Sequence, residues 1–531
     1  MKAWQDVASL YQIYPRSFQD TNGDGIGDLN GITERLDYLA WLGVDAIWIS
    51  PFFVSPLTDF GYDIANYRVI DPTFGGLDDF RALLERAHIL DIKVMIDLVP
   101  CHTSDQHPWF QEARSSRDNP KRDYYVWRDG RDGNEPNNWR SLSGGSSWEL
   151  DEQTGQYYLH SFLKTQPDLN WDNPAVRDEM KNVVRFWFDM GVDGMRVDAI
   201  WGISKDPELG NDSPNPDFHG DSEAYGAFIH DHCKMGPHFQ EYLHELASVC
   251  DEYDDKQMVF EFYPDEKLGD IYQQYHQVLT AHPKASAFFM EYRQDEWHAE
   301  HVGQKIENYL RAAGSARPFC CVGNHDQPRV ASRLGTERAR ALHFLNLLTP
   351  GISVMYYGDE IGMTNGELTS EDIQDNFSPA NSVIDSRDLE RTPMQWDDTR
   401  FAGFSEVKPW LPVNKNRTFV NVNSEKSSPM SMLNLHRALL RLRQEFPIIK
   451  NGTLNIVSST DTGNGFILGI KRELGRERAY IFINFADAPQ SFSIPENGRI
   501  LASTHPQYLL LGKDRQMTIP GYCGVILITE S

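Results

Sequence analysis

At 531 residues the chain can bury a large core and divide into two or three domains, and 40% hydrophobic with 24% charged residues is the composition of a soluble globular protein. A net charge of -27 argues against nucleic-acid and anionic-membrane partners. No apolar run reaches the roughly 18 residues of a membrane span, the start lacks an apolar signal region, and the six cysteines are scattered singly except Cys320-Cys321; a reduced, cytoplasmic compartment is the expectation.

Strand-like runs at Leu10 to Tyr14, Ala46 to Ser50 and Lys93 to Leu98 alternate with helical patterns such as Leu29, Ile32, Leu36, Leu39 and Leu42. Repeated βα units predict a parallel sheet. Between the first strand and the first helix lies Asp20-Thr21-Asn22-Gly23-Asp24-Gly25-Ile26-Gly27-Asp28. Oxygen ligands at alternating positions, with glycines for the tight turn, suit Ca²⁺, although position twelve is Gly31 and the loop is no EF-hand. An Asx-rich turn opening a helix is the alternative reading.

The rhythm breaks after the third strand. Residues 104–165 are rich in Asn, Gly, Ser and Trp and read as an inserted subdomain beside a binding cleft. The periodicity then predicts a helix from the cap Asn173 and Pro174 to Gly191, followed by a fourth strand, Met195 to Ile200. Strand candidates continue at Met258 to Phe262, Ala287 to Met290, Pro318 to Val322 and Ile352 to Tyr357. Eight strands are the number that closes a (β/α)8 TIM barrel. An open doubly wound sheet would lack its glycine-rich phosphate fingerprint here. A second irregular stretch, Thr364 to Arg417, follows the eighth strand, and from Thr453 the pattern is β only, read as a C-terminal antiparallel β-sandwich. The predicted division is barrel 1–103, insert 104–165, barrel 166–452 and sandwich 453–531.

Four strand ends carry acids: Asp97 to His102, Arg196-Val197-Asp198, Glu261 within Met258 to Phe262, and Asn324-His325-Asp326. Four acids on one rim of a barrel are hard to explain as packing. Carboxyl groups held together take on different environments, and that division of labour suits glycosidic cleavage. Arg196 would favour an ionised Asp198 as nucleophile, while Glu261 between Phe260 and Phe262 would be the acid. Asp326 would stabilise the cationic transition state, and His102 and His325 would donate to sugar hydroxyls.

These stretches resemble the four conserved regions of the α-amylase family, glycoside hydrolase family 13. Gln166-Pro167-Asp168-Leu169-Asn170 resembles the extra motif of its oligo-1,6-glucosidase branch, with Gln166 a substrate-pocket residue. Asp59-Phe60-Gly61-Tyr62 resembles the sugar-pocket motif and Arg391 to Trp396 a further motif of that branch. The resemblance implies a retaining mechanism with Asp198 as nucleophile, Glu261 as acid/base and Asp326 as stabiliser. It implies that Asp59 and Arg391 grip a terminal glucose on which Tyr62 stacks, with Arg400 as the rival to Arg391. It also implies structural Ca²⁺ on Asp20, Asn22, Asp24, Asp28 and the Ile26 carbonyl.

Two departures stand out. Cys101 replaces an Asn that serves a second calcium site in relatives, and Ala199 stands where valine accompanies α-1,6 and threonine α-1,4 cleavage. The expected activity is exo-hydrolysis of short α-gluco-oligosaccharides, α-1,4 favoured, by a monomer or homodimer. The alternatives are an α-glucosyltransferase or a sucrose- or trehalose-type isomerase. A non-catalytic transporter subunit would have lost the acids and gained a membrane helix.

Overall fold

All eight predicted strands form, and they close one parallel barrel. In chain order they are β1 (Ser9–Ile13), β2 (Ala46–Ile49), β3 (Lys93–Leu98), β4 (Gly194–Val197), β5 (Gln257–Phe260), β6 (Ala285–Phe289), β7 (Phe319–Cys321) and β8 (Ile352–Tyr356). β1 closes the ring by pairing β2 on one side, Leu10 opposite Ala46, and β8 on the other, Ser9 opposite Ser353. The computed structural model describes residues 1–291, 297–377, 383, 385–457, 459–511 and 515–529, so the irregular stretch 364–417 lies partly outside the described residues. Among the described residues no helix is long and apolar enough to cross a membrane.

Side chains alternate along each strand, and this decides what faces the barrel axis. Leu10, Ala46, Trp48, Met95, Val259, Phe288, Phe319, Ile352 and Val354 pack together as the interior plug. Their neighbours, such as Ile47, Ile49, Met195, Val197, Met258 and Phe260, face outward into the larger core shared with the helices. Continuing the inward rows toward the carboxyl ends gives Gln12, Asp97, Arg196 and Glu261, all buried. The plug therefore ends in a polar layer.

The helix leading to β4 is α1 (Pro174–Met190). The Asn173 side chain accepts from the Ala175 N–H, and Gly191 closes the helix at φ +113°, the left-handed cap predicted from sequence. The fourth strand is shorter than its predicted extent. It stops at Val197 because Ala199 adopts φ +44° and ψ +43°, and Ile200–Gly202 then form a 3₁₀ turn. After β3, the segment 104–165 contains a helix, Pro108–Ser115, and a three-stranded antiparallel sheet of Trp127–Arg128, Gln156–Leu159 and Trp148–Asp151.

The C-terminal strands are β9 (Thr453–Val457), β10 (Ile467–Leu474), β11 (Glu477–Asn484), β12 (Gln490–Ser493), β13 (Arg499–Ser503), β14 (Leu510–Leu511), β15 (Gln516–Ile519) and β16 (Gly524–Ile528). They make two antiparallel sheets, β9-β10-β11-β16-β13 and β12-β15-β14. Ile467, Phe482, Phe492, Met517, Val525 and Leu527 fill the space between them. One buried arginine ties this unit to the barrel, and a second braces the barrel beside the junction. Arg472 on β10 donates to the carbonyls of Leu348, at 2.6 Å, and Gly452, at 2.9 Å. Arg443 on α2 (Met432–Glu445) donates to Thr349 O at 2.8 Å and to Leu347 O and Gly351 O at 2.5 Å. Both satisfy carbonyls at or just beyond the end of the helix Thr336–Leu348, groups a helix cannot satisfy itself.

Candidate active site

The polar layer is organised by Arg196. Its Nη1 lies 2.9 Å from Asp97 Oδ1 and 2.6 Å from Asp198 Oδ1, and its Nη2 lies 2.6 Å from Glu261 Oε1. The guanidinium is fully buried over the Trp48 ring, 4.9 Å from its centroid. Trp48 Nε1 and Tyr62 Oη, each at 3.2 Å, donate to Asp97 Oδ2 and hold that carboxylate beneath the other two. Three carboxyl groups thus share one cation in a dry place.

Burial pushes Asp97 up to about 6 against the pull of Arg196. Burial likewise raises Asp198; Arg196 opposes this, and Glu261, Asp97 and Asp326 reinforce it, so its net direction is upward. Arg196 does favour the ionised form of Asp198, as expected, but it divides that pull among Asp97, Asp198 and Glu261. The argument for Glu261 also changes. Phe260 and Phe262 do not flank its carboxyl, because strand alternation sends both rings to the outer core. The groups that reach Glu261 are Arg196, the Tyr263 hydroxyl at 3.2 Å and the Ala199 N–H, which donates to Oε2 at 3.2 Å.

Asp326 lies across the cavity with the opposite bias. Burial would raise it, but the neighbouring cations outweigh burial and hold it well below the usual carboxylate range. Arg391 Nη2 sits 2.8 Å and Arg387 Nη1 3.4 Å from its Oδ1. Burial drives His325 down to about 3, so the imidazole is neutral at pH 7 and the two arginines supply the positive charge.

The cavity these groups face measures about 440 Å³, a size that accepts a short oligosaccharide end. Asp59, Tyr62, His102, Asp198, Glu261 and Asp326 line it. Gln166, Arg196, His325 and Arg391 do not; they are enclosed behind the wall and fix the residues on it. Gln166 Nε2 donates to Asp59 Oδ2 at 2.9 Å and lies 3.1 Å from His102 Nε2. His325 stacks on Tyr62, ring centroids 5.3 Å apart and planes 6° from parallel, and its Nδ1 meets Gln12 Nε2 at 2.7 Å.

The expectation that Arg391 grips the terminal glucose alongside Asp59 is corrected, since Arg391 does not line the cavity. Arg391 is 1% exposed and points at Asp326 and at the His325 carbonyl, which accepts its Nε–H at 2.8 Å. The arginine that reaches Asp59 is Arg387, at 2.7 Å, and Asp375 clamps the same side chain at 2.7 and 3.0 Å. Arg400, the other sequence candidate, lies over Phe401. The sequence reading also missed the apolar wall, formed by Phe162, Trp201, Tyr225 and Phe377, and the contribution of Tyr263. Phe377 lies 4.6 Å from the Arg387 guanidinium, and Phe162 packs on Trp201.

In the loop 20–28, Asp20 Oδ1 accepts the Gly23 N–H at 2.8 Å, Asn22 Oδ1 the Asp24 N–H at 2.9 Å and Asp24 Oδ1 the Ile26 N–H at 2.8 Å. Asp28 caps the helix Leu29–Leu42 through Gly31 N. Gly23 and Gly25 take φ +79° and +88°, which permits the tight turn. Among the described residues these carboxylates do not converge as three ligand atoms within 4.8 Å. The match to Ca²⁺ therefore rests on hard oxygen donors at alternating positions. Cys101 is fully buried beside Ala199 and Trp201, a packed small residue.

Residues 12–452 match the family profile described as alpha amylase, catalytic domain. The chain is 38% identical over 535 residues to an oligo-1,6-glucosidase of Parageobacillus thermoglucosidasius, covering 93% of each. It is 40% identical to a probable alpha-glucosidase of Rhizobium meliloti, covering 93% of this chain and 91% of that one. Among solved structures, the alpha-glucosyl transfer enzyme XgtA superposes with a TM-score of 0.91 at 35% identity, covering 100% of both chains. The chain belongs to the α-amylase family, glycoside hydrolase family 13.

Proposed function

Starting from that membership, we propose that the chain is a retaining, exo-acting α-glucosidase that removes the terminal non-reducing glucose of short oligosaccharides, α-1,4 in preference to α-1,6. The observation that carries the reading is the buried Asp59–Arg387 ion pair in the same cavity as Asp198, Glu261 and Asp326. Such a pair closes the cavity behind one sugar, and the Tyr62 ring offers a face to its C–H groups. Asp198 and Glu261 contact adjacent nitrogens of one guanidinium, which supports the separation of about 5–5.5 Å that a double displacement uses.

In the proposed reaction Asp198 attacks the anomeric carbon while Glu261 donates its proton to the departing glycosidic oxygen. Glu261 then takes a proton from the water that releases α-glucose. Asp326, ionised by its arginines, stabilises the oxocarbenium-like transition state. His102, kept neutral by burial, donates to a sugar hydroxyl without adding charge. We further propose Ca²⁺ on Asp20, Asn22, Asp24, Asp28 and the Ile26 carbonyl as a loop stabiliser remote from the chemistry, and a cytoplasmic location.

A second reading, α-glucosyl transfer, is favoured by the aromatic wall of Phe162, Trp201, Tyr225 and Phe377, which would hold water away from a glucosyl intermediate. Product analysis by NMR on maltose, isomaltose, sucrose, trehalose and maltotriose separates the two. Release of α-glucose supports hydrolysis, and longer or isomerised saccharides support transfer. Inversion to β-glucose, or no turnover of any of the five, would sink both.

A further inference from the structure

The loop after β4, which carries the pocket residues Trp201, Tyr225 and Lys234, also encloses a cluster with no part in the proposed chemistry. Asp212, His230 and Cys233 are 2%, 3% and 8% exposed. His230 Nδ1 lies 3.4 Å from Asp212 Oδ2 and 3.6 Å from Cys233 Sγ, and the three ligand atoms all lie within 4.8 Å of one another. Asp212 is aimed by the backbone: its Oδ1 accepts the His232 N–H at 2.8 Å and the Cys233 N–H at 3.3 Å. Its buried Oδ2, turned toward the other two side chains, accepts no hydrogen bond of acceptable geometry.

A Cys-His-Asp nucleophile does not fit these contacts. Such a relay needs thiol and carboxylate on opposite imidazole nitrogens, and here both approach Nδ1. Without a metal the trio is held by hydrogen bonds: the Cys233 thiol bonds the Asp212 carboxylate, which with burial keeps the thiol protonated. A protonated Nδ1 serves the same carboxylate, which then receives both donors. An unprotonated one accepts from the thiol and sets its lone pair against Oδ2.

A metal ion would engage the same three atoms differently, because one cation accepts a lone pair from each at once and the three ligand atoms already lie within 4.8 Å of one another. Tetrahedral Zn²⁺, with Zn–S about 2.3 Å and Zn–N and Zn–O about 2.0–2.2 Å, places S and N roughly 3.6 Å apart and N and O roughly 3.4 Å apart. These are the two separations observed. We propose that Asp212, His230 and Cys233 bind a borderline-soft divalent metal ion, Zn²⁺ by donor set, with a fourth position open to water. Thiolate plus carboxylate carry two negative charges, which the ion neutralises in place. The His230 ring stacks on Tyr225 with centroids 3.7 Å apart, so the ion would anchor the aromatic wall of the pocket through that ring.

The test is spectroscopic. Reduced, chelator-stripped protein is titrated with Co²⁺ alone. Expected is a sulfur-to-cobalt charge-transfer band that saturates at about one equivalent and is abolished by Zn²⁺. The band should be lost in Cys233→Ser and His230→Ala and kept in Cys250→Ser. The all-oxygen loop at 20–28 gives no such band. Absence of the band in the unaltered chain, or its survival in Cys233→Ser, overturns the site. For the unaltered chain a second readout is iodoacetamide modification of Cys233, mapped by mass spectrometry. A several-fold acceleration on adding chelator supports the site, and a rate indifferent to chelator overturns it.

Discussion

Replacing Arg387 tests which arginine closes the pocket. Its guanidinium makes two bonds to Asp375, one to Asp59 at 2.7 Å and a longer contact with Asp326 at 3.4 Å. Arg387→Ala leaves Asp59, 5% exposed, with only Gln166 and the cavity as partners, and leaves Asp375, 6% exposed, without its cation. A charge-assisted hydrogen bond contributes about 1.5–3 kcal/mol, so losing the one that orients Asp59 lowers kcat/KM by about 10- to 150-fold. Most of that loss should fall in KM, because the contact Arg387 makes with Asp59 is short, at 2.7 Å, while its contact with Asp326 is long, at 3.4 Å, and Arg391 remains on Asp326. Breaking the buried pair costs about 3–5 kcal/mol of stability, read as a lower Tm. Arg387→Lys should recover part of the stability and little of the affinity, since an ammonium does not reproduce the fork. Arg391→Lys should behave differently: it loosens Asp326 and lowers kcat with KM nearly unchanged. Steady-state kinetics on a nitrophenyl α-glucoside, with Tm in parallel, decide the matter. An unchanged KM in Arg387→Ala, with a raised KM in Arg391→Lys, would refute the assignment.

Asp198→Asn keeps an oxygen toward Arg196 and should fold, yet lose hydrolysis by several orders of magnitude; near-wild-type turnover would remove Asp198 from the nucleophile role. Burial pushes the Glu390 carboxyl from its ordinary value up to about 8. The native state therefore holds a proton that the unfolded chain releases above about pH 4.5, and stability falls as pH rises from there to about 8. Glu390→Gln removes that dependence, so its advantage in unfolding free energy should grow across the window to a few kcal/mol and level off above it, as read by denaturant unfolding at several pH values; a constant difference would contradict the buried, protonated Glu390. Ala199→Val puts a β-branched residue at φ +44°, costing on the order of 1 kcal/mol, and its methyls enter the cavity, so both Tm and activity on maltose should fall. Unchanged values of both would mean that the turn relaxes. If the loop at 20–28 binds Ca²⁺, the ion at 100 times its Kd adds about 2.7 kcal/mol, seen as a Tm shift absent in Asp24→Ala; a Tm indifferent to Ca²⁺ would dismiss the site.

The barrel was legible because its signals are local and periodic. Asn173, Pro174 and Gly191 fix a helix through their own backbone preferences, and alternation along β3, β4 and β5 tells which acids face inward. The same alternation, applied carefully, would have placed Phe260 and Phe262 outward and shown that they do not enclose Glu261. Arg387 was missed for another reason. It and Arg391 stand four apart on a segment without regular periodicity, where spacing carries no information about direction. Asp212, His230 and Cys233 were unreadable for the same cause: 20 residues, mostly irregular loop, separate the first from the last. Ala199 ended β4 early because an apolar residue after a strand reads as more strand, and only the backbone shows the left-handed turn.

The arginine at the seam between barrel and sandwich has a consequence for how this chain can be cut. By sequence the catalytic portion stops at residue 452. By hydrogen bonding it does not: Arg472, twenty residues further on, satisfies Leu348 O and Gly452 O on the barrel side. Among the described residues no carboxylate pairs with that buried cation; carbonyl oxygens hold it. Severing the gene at the apparent boundary would strand those two carbonyls and leave the arginine only the Thr453 carbonyl, which accepts its Nε–H at 3.1 Å. The sandwich is thus not an accessory that evolution or an engineer can exchange freely. Any replacement must bring its own donor to the same two carbonyls.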